Sequence, residues 1–360
     1  MQEETIRSFF ELLRIASGVR DTLPHLLTEQ EWSDIYEMSV KHSLVGVVFA
    51  AIQSLDADMC PSKDMCREFL KQAEPIRRRN GILVADCVKL DAMLAASGFR
   101  PCILKGQSLA GCYGDLAPYR YSSDIDVWAQ GADIDGIASF IRGRGLDCRV
   151  TAVHVECDLP DKMHAEVHPT PSIFRCPWLN RRLQGWFSTF DVASFSRDGG
   201  FAVPPAEFNL VYMLAHCLHH LLFEGVGLRH FMDYYMVLRC VEPGPALDSV
   251  RETVANLQMT KFARGVMWIM KEVFGLDDSH LLLEPDGKVG RFLLDEALAG
   301  GDFGHFDKRN RMARSGSRIA RGFGGMARNA RFLSLAPAIV ICNPFWRLWH
   351  YFWRSKKKYL

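Results

Sequence analysis

The stretch Leu104-Lys105-Gly106-Gln107-Ser108, followed past Arg120 by Ser123-Asp124-Ile125-Asp126-Val127-Trp128, decides the fold. Successive side chains of a strand point to opposite faces, so Asp124 and Asp126 share one face while Ile125 and Val127 turn to a core. The two aspartates then stand about 6 to 7 Å apart along the strand, and both carboxylates can reach metal ions bound above that edge. Left unpaired they repel and each resists ionising; Mg²⁺ reverses that penalty. A D-x-D on a strand is common by chance, and the LKG turn upstream together with Arg120 lifts this one above coincidence.

Working outward, Pro101 to Leu104 is a short apolar run, Gln107 to Tyr113 can form a helical turn or two, and Ser123 to Trp128 alternates, which reads strand, helix, strand. Ile134 to Arg142 reads as a helix ended by Gly143 or Gly145. Arg149 to Glu156 and His164 to His168 read as two strands across the turn Leu159-Pro160-Asp161. A small mixed sheet carrying helices accounts for Phe99 to Pro169.

Both flanks read helical. Phe9, Leu12, Leu13 and then Trp32, Ile35, Met38 follow helical spacing, Thr28 and Glu31 form a capping box, and a long helix runs from Lys63 past Pro75 to Ala96, with Gly98 placed to stop it. Helices return over Pro205 to Cys240, Ala246 to Phe274 and Val289 to Ala299. The expected fold is α+β, a small mixed sheet flanked by N-terminal and C-terminal helical regions, divided as 1–80, 81–200 and 201–360.

With 48% hydrophobic residues in 360, the chain can build a large core, and a formal charge of +1 leaves no global field to draw it onto nucleic acid or anionic lipid. Eleven cysteines without CxxC pairs are unlike a disulfide framework or zinc module, so a reducing cytoplasmic setting is expected. The acidic, amphipathic start is unlike a signal peptide. Phe332 to Trp353 is interrupted by Pro337, Asn343, Pro344, Arg347 and His350, which argues for packed helix and against stable membrane insertion.

The LKG turn, the Arg before S-D-I-D-V, and the later strand His164-Ala165-Glu166-Val167-His168 together resemble an uncharacterised bacterial nucleotidyltransferase family within the polymerase-β-type superfamily. Trp32 to Gln53 and the segment Val203 to Leu238 are similar too, so the resemblance spans most of the chain, although only Lys105 to Asp126 is highly specific. It implies a nucleotidyltransferase core that uses Mg²⁺ or Mn²⁺ and an NTP donor to modify a hydroxyl on a small molecule, protein or RNA. Asp124, Asp126 and Glu166 would be the catalytic, metal-binding carboxylates. Lys105, Gly106 and Ser108 would form the turn that meets the triphosphate, where many superfamily members carry Gly-Ser. Arg120 and Ser123 would add contacts to the nucleotide.

Several positions admit a second reading. Glu156 replaces Glu166 if the sheet is registered one hairpin strand earlier. Lys105 can cap its strand and pair with Asp124, Arg120 can pair with Asp115, and Ser122-Ser123 can serve strand-edge hydrogen bonding. His216, His219 and His220 share a helical face, as packing residues or as the lining of a cleft. Arg229 and Asp233 have the spacing of a helix pair, Arg77 to Arg79 read as a solvated face, Lys308 to Arg331 as loop, helix or basic surface, and Trp346 to Leu360 as a helix with a solvated basic end. The competing function is a binding or regulatory protein that keeps the fold without turnover.

Overall fold

The computed structural model describes residues 3–310 and 318–356. Four helices open the chain: α1 (Glu3–Ala16), α2 (Glu29–Lys41), α3 (Val45–Ser54) and α4 (Lys63–Ala95). The capping box of α2 is complete: Thr28 Oγ1 accepts from the Glu31 amide at 3.3 Å and the Glu31 carboxylate accepts from the Thr28 amide at 2.8 Å. Pro75 lies inside α4.

The central sheet has the order β1-β2-β5-β4-β3, built from β1 (Arg100–Leu104), β2 (Asp124–Gln130), β3 (Cys148–Val150), β4 (Val155–Asp158) and β5 (His164–His168). β1 and β2 are antiparallel, β2 and β5 parallel, and β3, β4 and β5 antiparallel, so the sheet is mixed as expected. A short α5 (Ala110–Tyr113) and α6 (Ile134–Gly143) follow β1 and β2. The span Arg149 to Glu156 differs from expectation in being two strands. Thr151 Oγ1 accepts from the amides of Val153 and His154 and its own amide bonds the His154 carbonyl, which folds residues 151–154 into a turn between β3 and β4.

Besides α3, two features escape the sequence pattern: α7 (Pro177–Phe187) and the hairpin of β6 (Arg197–Asp198) with β7 (Phe201–Ala202). The C-terminal part holds α8 (Ala206–Phe223), α9 (Leu228–Arg239), α10 (Pro245–Asn256), α11 (Thr260–Phe274), α12 (Gly287–Gly300), α13 (Arg318–Ala330) and α14 (Pro337–Lys356). Each long helical stretch expected after Pro205 is therefore split, at Gly225 (φ +138°) and Gly227 in one case and beside Gln258 (φ +58°) in the other.

The strand alternation fixes two cores. Ile125, Val127, Val155, Cys157, Ala165 and Val167 face Leu83, Cys87, Leu90 and Leu94 of α4 and Ile137 and Ile141 of α6. The second core is larger, and it joins α1, α2 and α3 to α8, α9 and α11, with Trp128 of the opposite sheet face stacked on Phe208 at 5.8 Å. The polar side chains of β2 and β5 thus sit where the sheet meets α8.

α14 is not packed all round. Ile339 and Cys342 are buried, but Phe345 is 73% and Tyr351 63% exposed, so one helix face carries apolar side chains into solvent. Within Lys308 to Arg331, Arg328 is buried, donating to the Leu221 and Leu222 carbonyls, and Arg331 reaches Glu296 at 3.3 Å; these arginines are not a basic surface. Residues 311–317 of that stretch and 357–360 of the basic tail lie outside the described residues. Among the described residues no helix is long and apolar enough to cross a membrane.

Candidate active site

Register builds the site. Asp126 lies opposite Leu104 on β1 and opposite Glu166 on β5, so one sheet position brings together the end of the LKG strand, the second aspartate and the glutamate. Asp124 is two residues back on the same face. One ligand oxygen from each of Asp124, Asp126 and Glu166 lies within 4.8 Å of the others. Glu156 is the neighbour of Glu166 on the next strand out; its carboxylate is engaged by Arg149 at 3.2 Å and His154 at 3.0 Å. Of the two glutamates, Glu166 stands next to the aspartates.

Lys105 leaves β1 with φ +37°, a conformation side chains rarely adopt, and Gly106 follows at φ +51°. A Cβ at Gly106 would stand 3.2 Å from Ser122 Oγ, so glycine answers both the dihedral and the close approach. The amide and hydroxyl of Ser108 each donate to the Lys105 carbonyl at 2.9 Å, closing the turn. The helical segment after it is a single 3₁₀ turn, Gly106–Leu109, leading into four-residue α5, so no long helix dipole points at the turn. The strained turn carries the Lys105 ammonium to 2.8 Å from Asp126 and 3.9 Å from Asp124. Its nearer partner is Asp126, and the alternative pairing with Asp124 is present as the longer contact.

The electrostatics follow from this packing. Burial works against the Lys105 ammonium, but the charges of Asp126 and Asp124 outweigh it and hold the group above its ordinary range. Burial raises Asp126, yet Lys105 and a His168 hydrogen bond at 3.3 Å keep it below the usual carboxylate range. Glu166 follows the same rule: burial pushes up, while His168 and His154 hold it at about 2. His168 rises to about 9 because Asp126 and Glu166 more than offset its burial. At neutral pH Asp126 and Glu166 are therefore ionised.

These side chains floor a cleft with about 920 Å³ of empty space, open mouth included, between the sheet and α8. Its walls are Tyr212, His216, His219 and His220 of α8, then Glu224, Phe303 and the segment 170–173. His220 Nδ1 pairs with the Glu224 carboxylate at 2.8 Å, and its Nε2 shares a hydrogen bond with His216 Nε2, also at 2.8 Å. Burial holds His216 far below the ordinary imidazole range, so it is a neutral imidazole in this chain. The three histidines expected on one face do line the cleft, joined by hydrogen bonding and by packing on one another and on Phe223.

Arg120 does not pair with Asp115. Its guanidinium makes two hydrogen bonds to Asp233, at 2.7 and 2.8 Å, beneath the floor, and Tyr113 donates to the same carboxylate at 2.6 Å. Asp233 is thereby taken from Arg229, which bonds Asp302 at 3.3 Å instead of forming the expected intrahelical pair. Ser123 Oγ donates to Asp124 at 2.8 Å, and its carbonyl accepts from Arg79 at 2.8 Å. Arg77 and Arg78 remain at the surface with Glu74, while Arg79 turns inward. Sequence reasoning missed His154, Tyr212 and Glu224; His154 sits in a turn and has no periodic signal to betray it.

Residues 28–275, more than half of the chain, match the sequence profile of a family described as uncharacterised nucleotidyltransferase. The chain belongs to this nucleotidyltransferase family. A search of curated proteins gives no match. The matched segment runs from the Thr28 cap of α2 to the end of α11, so it contains the whole sheet, the Lys105 turn and the α8 wall of this nucleotidyltransferase.

Proposed function

We propose that the protein transfers a nucleoside monophosphate from an NTP to a hydroxyl-bearing acceptor, with Asp124, Asp126 and Glu166 as ligands for two Mg²⁺ or Mn²⁺ ions. The observation that carries this reading is the convergence of three carboxylate oxygens, within 4.8 Å of one another, on the floor of an open cleft in a member of this family. An all-oxygen anionic set suits Mg²⁺, which prefers carboxylate and phosphate oxygens. Bound there, the ions supply neutralisation of phosphate charge and activation of a hydroxyl nucleophile.

The chain's own groups have separable tasks. Asp126, largely buried and ionised, holds its place through Lys105 and His168, and Asp124 and Glu166 present half-exposed oxygens to the cleft. Lys105 brings a single positive charge to the side where the triphosphate would lie. Arg120, committed to Asp233, lines a small cavity together with Lys105, Gly106 and Asp124. Tyr212 and the α8 histidines shape the wall that an acceptor or a base would meet.

Incubation with each α-labelled NTP, Mg²⁺ and clarified lysate of the source cell should yield one labelled acceptor and free pyrophosphate. Asp124→Ala and Asp126→Ala should reduce labelling to background. NTP binding without transfer, and a biological effect kept by both alanine variants, would instead favour a regulatory protein. The Lys105 ion pair with the aspartates is the observation in favour of that second reading.

A further inference from the structure

A second group of ligands adjoins the carboxylates and differs from them in chemistry. His154 Nδ1 lies 3.6 Å from Glu166 Oε2, and His168 Nε2 lies 3.5 Å from the same oxygen. Those separations are long for hydrogen bonds. They match the spacing of about 3.4 Å between neighbouring ligands around a tetrahedral Zn²⁺ with bonds near 2.1 Å. All three ligand atoms lie within 4.8 Å of one another, and the two imidazoles meet edge to face with centroids 4.9 Å apart.

The outer contacts orient the set. His154 Nε2 is 3.0 Å from Glu156 Oε1; a carboxylate can only accept, so Nε2 carries a proton, and Nδ1 is the nitrogen left to face Glu166 and to ligate a metal from the neutral ring. A metal-ligating histidine commonly has such a carboxylate behind it, fixing both tautomer and ring plane. Arg149 in turn holds Glu156 at 3.2 Å. The turn between β3 and β4 thus has a task beyond closing a hairpin, because it places His154 over β5. All three side chains line the cleft, which leaves a fourth coordination position facing water or ligand.

We propose that His154, His168 and Glu166 form a distinct metal centre that takes one borderline divalent cation of the Zn²⁺ class, sharing Glu166 with the aspartate site. Two imidazoles and one carboxylate select such an ion over Mg²⁺, which the neighbouring all-oxygen set prefers. Three protein ligands with one open position make the centre accessible from the cleft. Because Glu166 belongs to both sets, and His168 Nε2 must give up its proton and its 3.3 Å hydrogen bond to Asp126 to ligate, loading one centre alters the other. The proposal does not depend on nucleotidyl transfer, since its readout is bound metal.

Full-length protein, stripped with chelator and dialysed against Zn²⁺ in a large excess of Mg²⁺, should retain about one Zn²⁺ per chain, and Co²⁺ should give the intense visible absorption of four-coordinate cobalt. Glu156→Gln should weaken Zn²⁺ about 10- to 100-fold, and His154→Gln and His168→Gln by more than that, in variants whose circular dichroism matches the parent. Asp124→Ala should leave the Zn²⁺ stoichiometry unchanged. No Zn²⁺ retained against Mg²⁺, a faint six-coordinate cobalt spectrum, or Zn²⁺ held equally by the histidine variants and therefore bound elsewhere, as at His216 and His220, would each overturn the proposal. Should a histidine variant fail to fold, the parent cobalt spectrum and Glu156→Gln decide.

Discussion

Arg120 and Asp233 show what a buried ion pair does near an active site. Both are almost fully buried and the guanidinium fork is matched on both carboxylate oxygens. Removing one partner strands the other charge, a loss of about 3–5 kcal/mol. Arg120→Met should therefore lower stability by that order in urea unfolding, and adding Asp233→Leu should recover a good part of it. If the single variant unfolds like the parent, the pair has no structural role. His42 gives a prediction in pH: its Nδ1 accepts from the Leu228 amide at 3.3 Å, and burial, helped by Lys41, holds its pKa at about 3. In the unfolded chain it titrates near 6.5, so between those values the unfolded state binds the extra proton and stability falls as pH falls. The urea midpoint should drop from pH 6.5 toward 5, and His42→Gln should make that slope shallower; an unchanged slope contradicts the assignment. Neither contact was legible in sequence, because Asp233 is 113 residues from Arg120 and Leu228 is 186 from His42.

At the scale of elements, α11 and α12 approach so closely that side chains on one replace Cβ atoms on the other. A Cβ on Gly290 would stand 2.4 Å from Trp268 Cε3, and one on Gly265 2.4 Å from Val289 Cγ1. Gly290→Ala should destabilise by about 1–3 kcal/mol through overpacking. Gly81, on the exposed side of α4, has nothing within 4 Å of its would-be Cβ. Gly81→Ala should stabilise by about 0.5–1 kcal/mol through helix propensity. Thermal melts of the pair should move in opposite directions, and movement in the same direction contradicts the packing. Elements with strong periodicity were the readable ones: the capping box at Thr28, the alternation of β2, the length of α4. The alternation also forced Asp124 and Asp126 onto one face, whatever the fold. It could not choose between Glu156 and Glu166, which share a face on adjacent strands, so the choice rests on a parallel pairing of β2 with β5 that no local pattern encodes.

For the whole molecule, one core ties the first three helices to α8, α9 and α11, and the cleft opens where that helical layer meets the sheet. The sheet supplies acidic groups and Lys105, while the helical layer supplies Tyr212, the histidine chain and Glu224, so the candidate site is complete only when distant parts of the sequence meet. The α+β class, the mixed sheet and the helical flanks were legible from patterning. The histidine wall was legible only as a face, because its partners Glu224, Phe303 and the segment 170–173 come from turns and loops.

The most direct test places the label in two positions of the NTP. With Mg²⁺ and lysate, label in the α-phosphate should pass to the acceptor and label in the γ-phosphate should leave as pyrophosphate, both lost in Asp126→Asn. Transfer of the γ-label, inorganic phosphate released without pyrophosphate, or α-label transfer undiminished in Asp126→Asn would contradict the account.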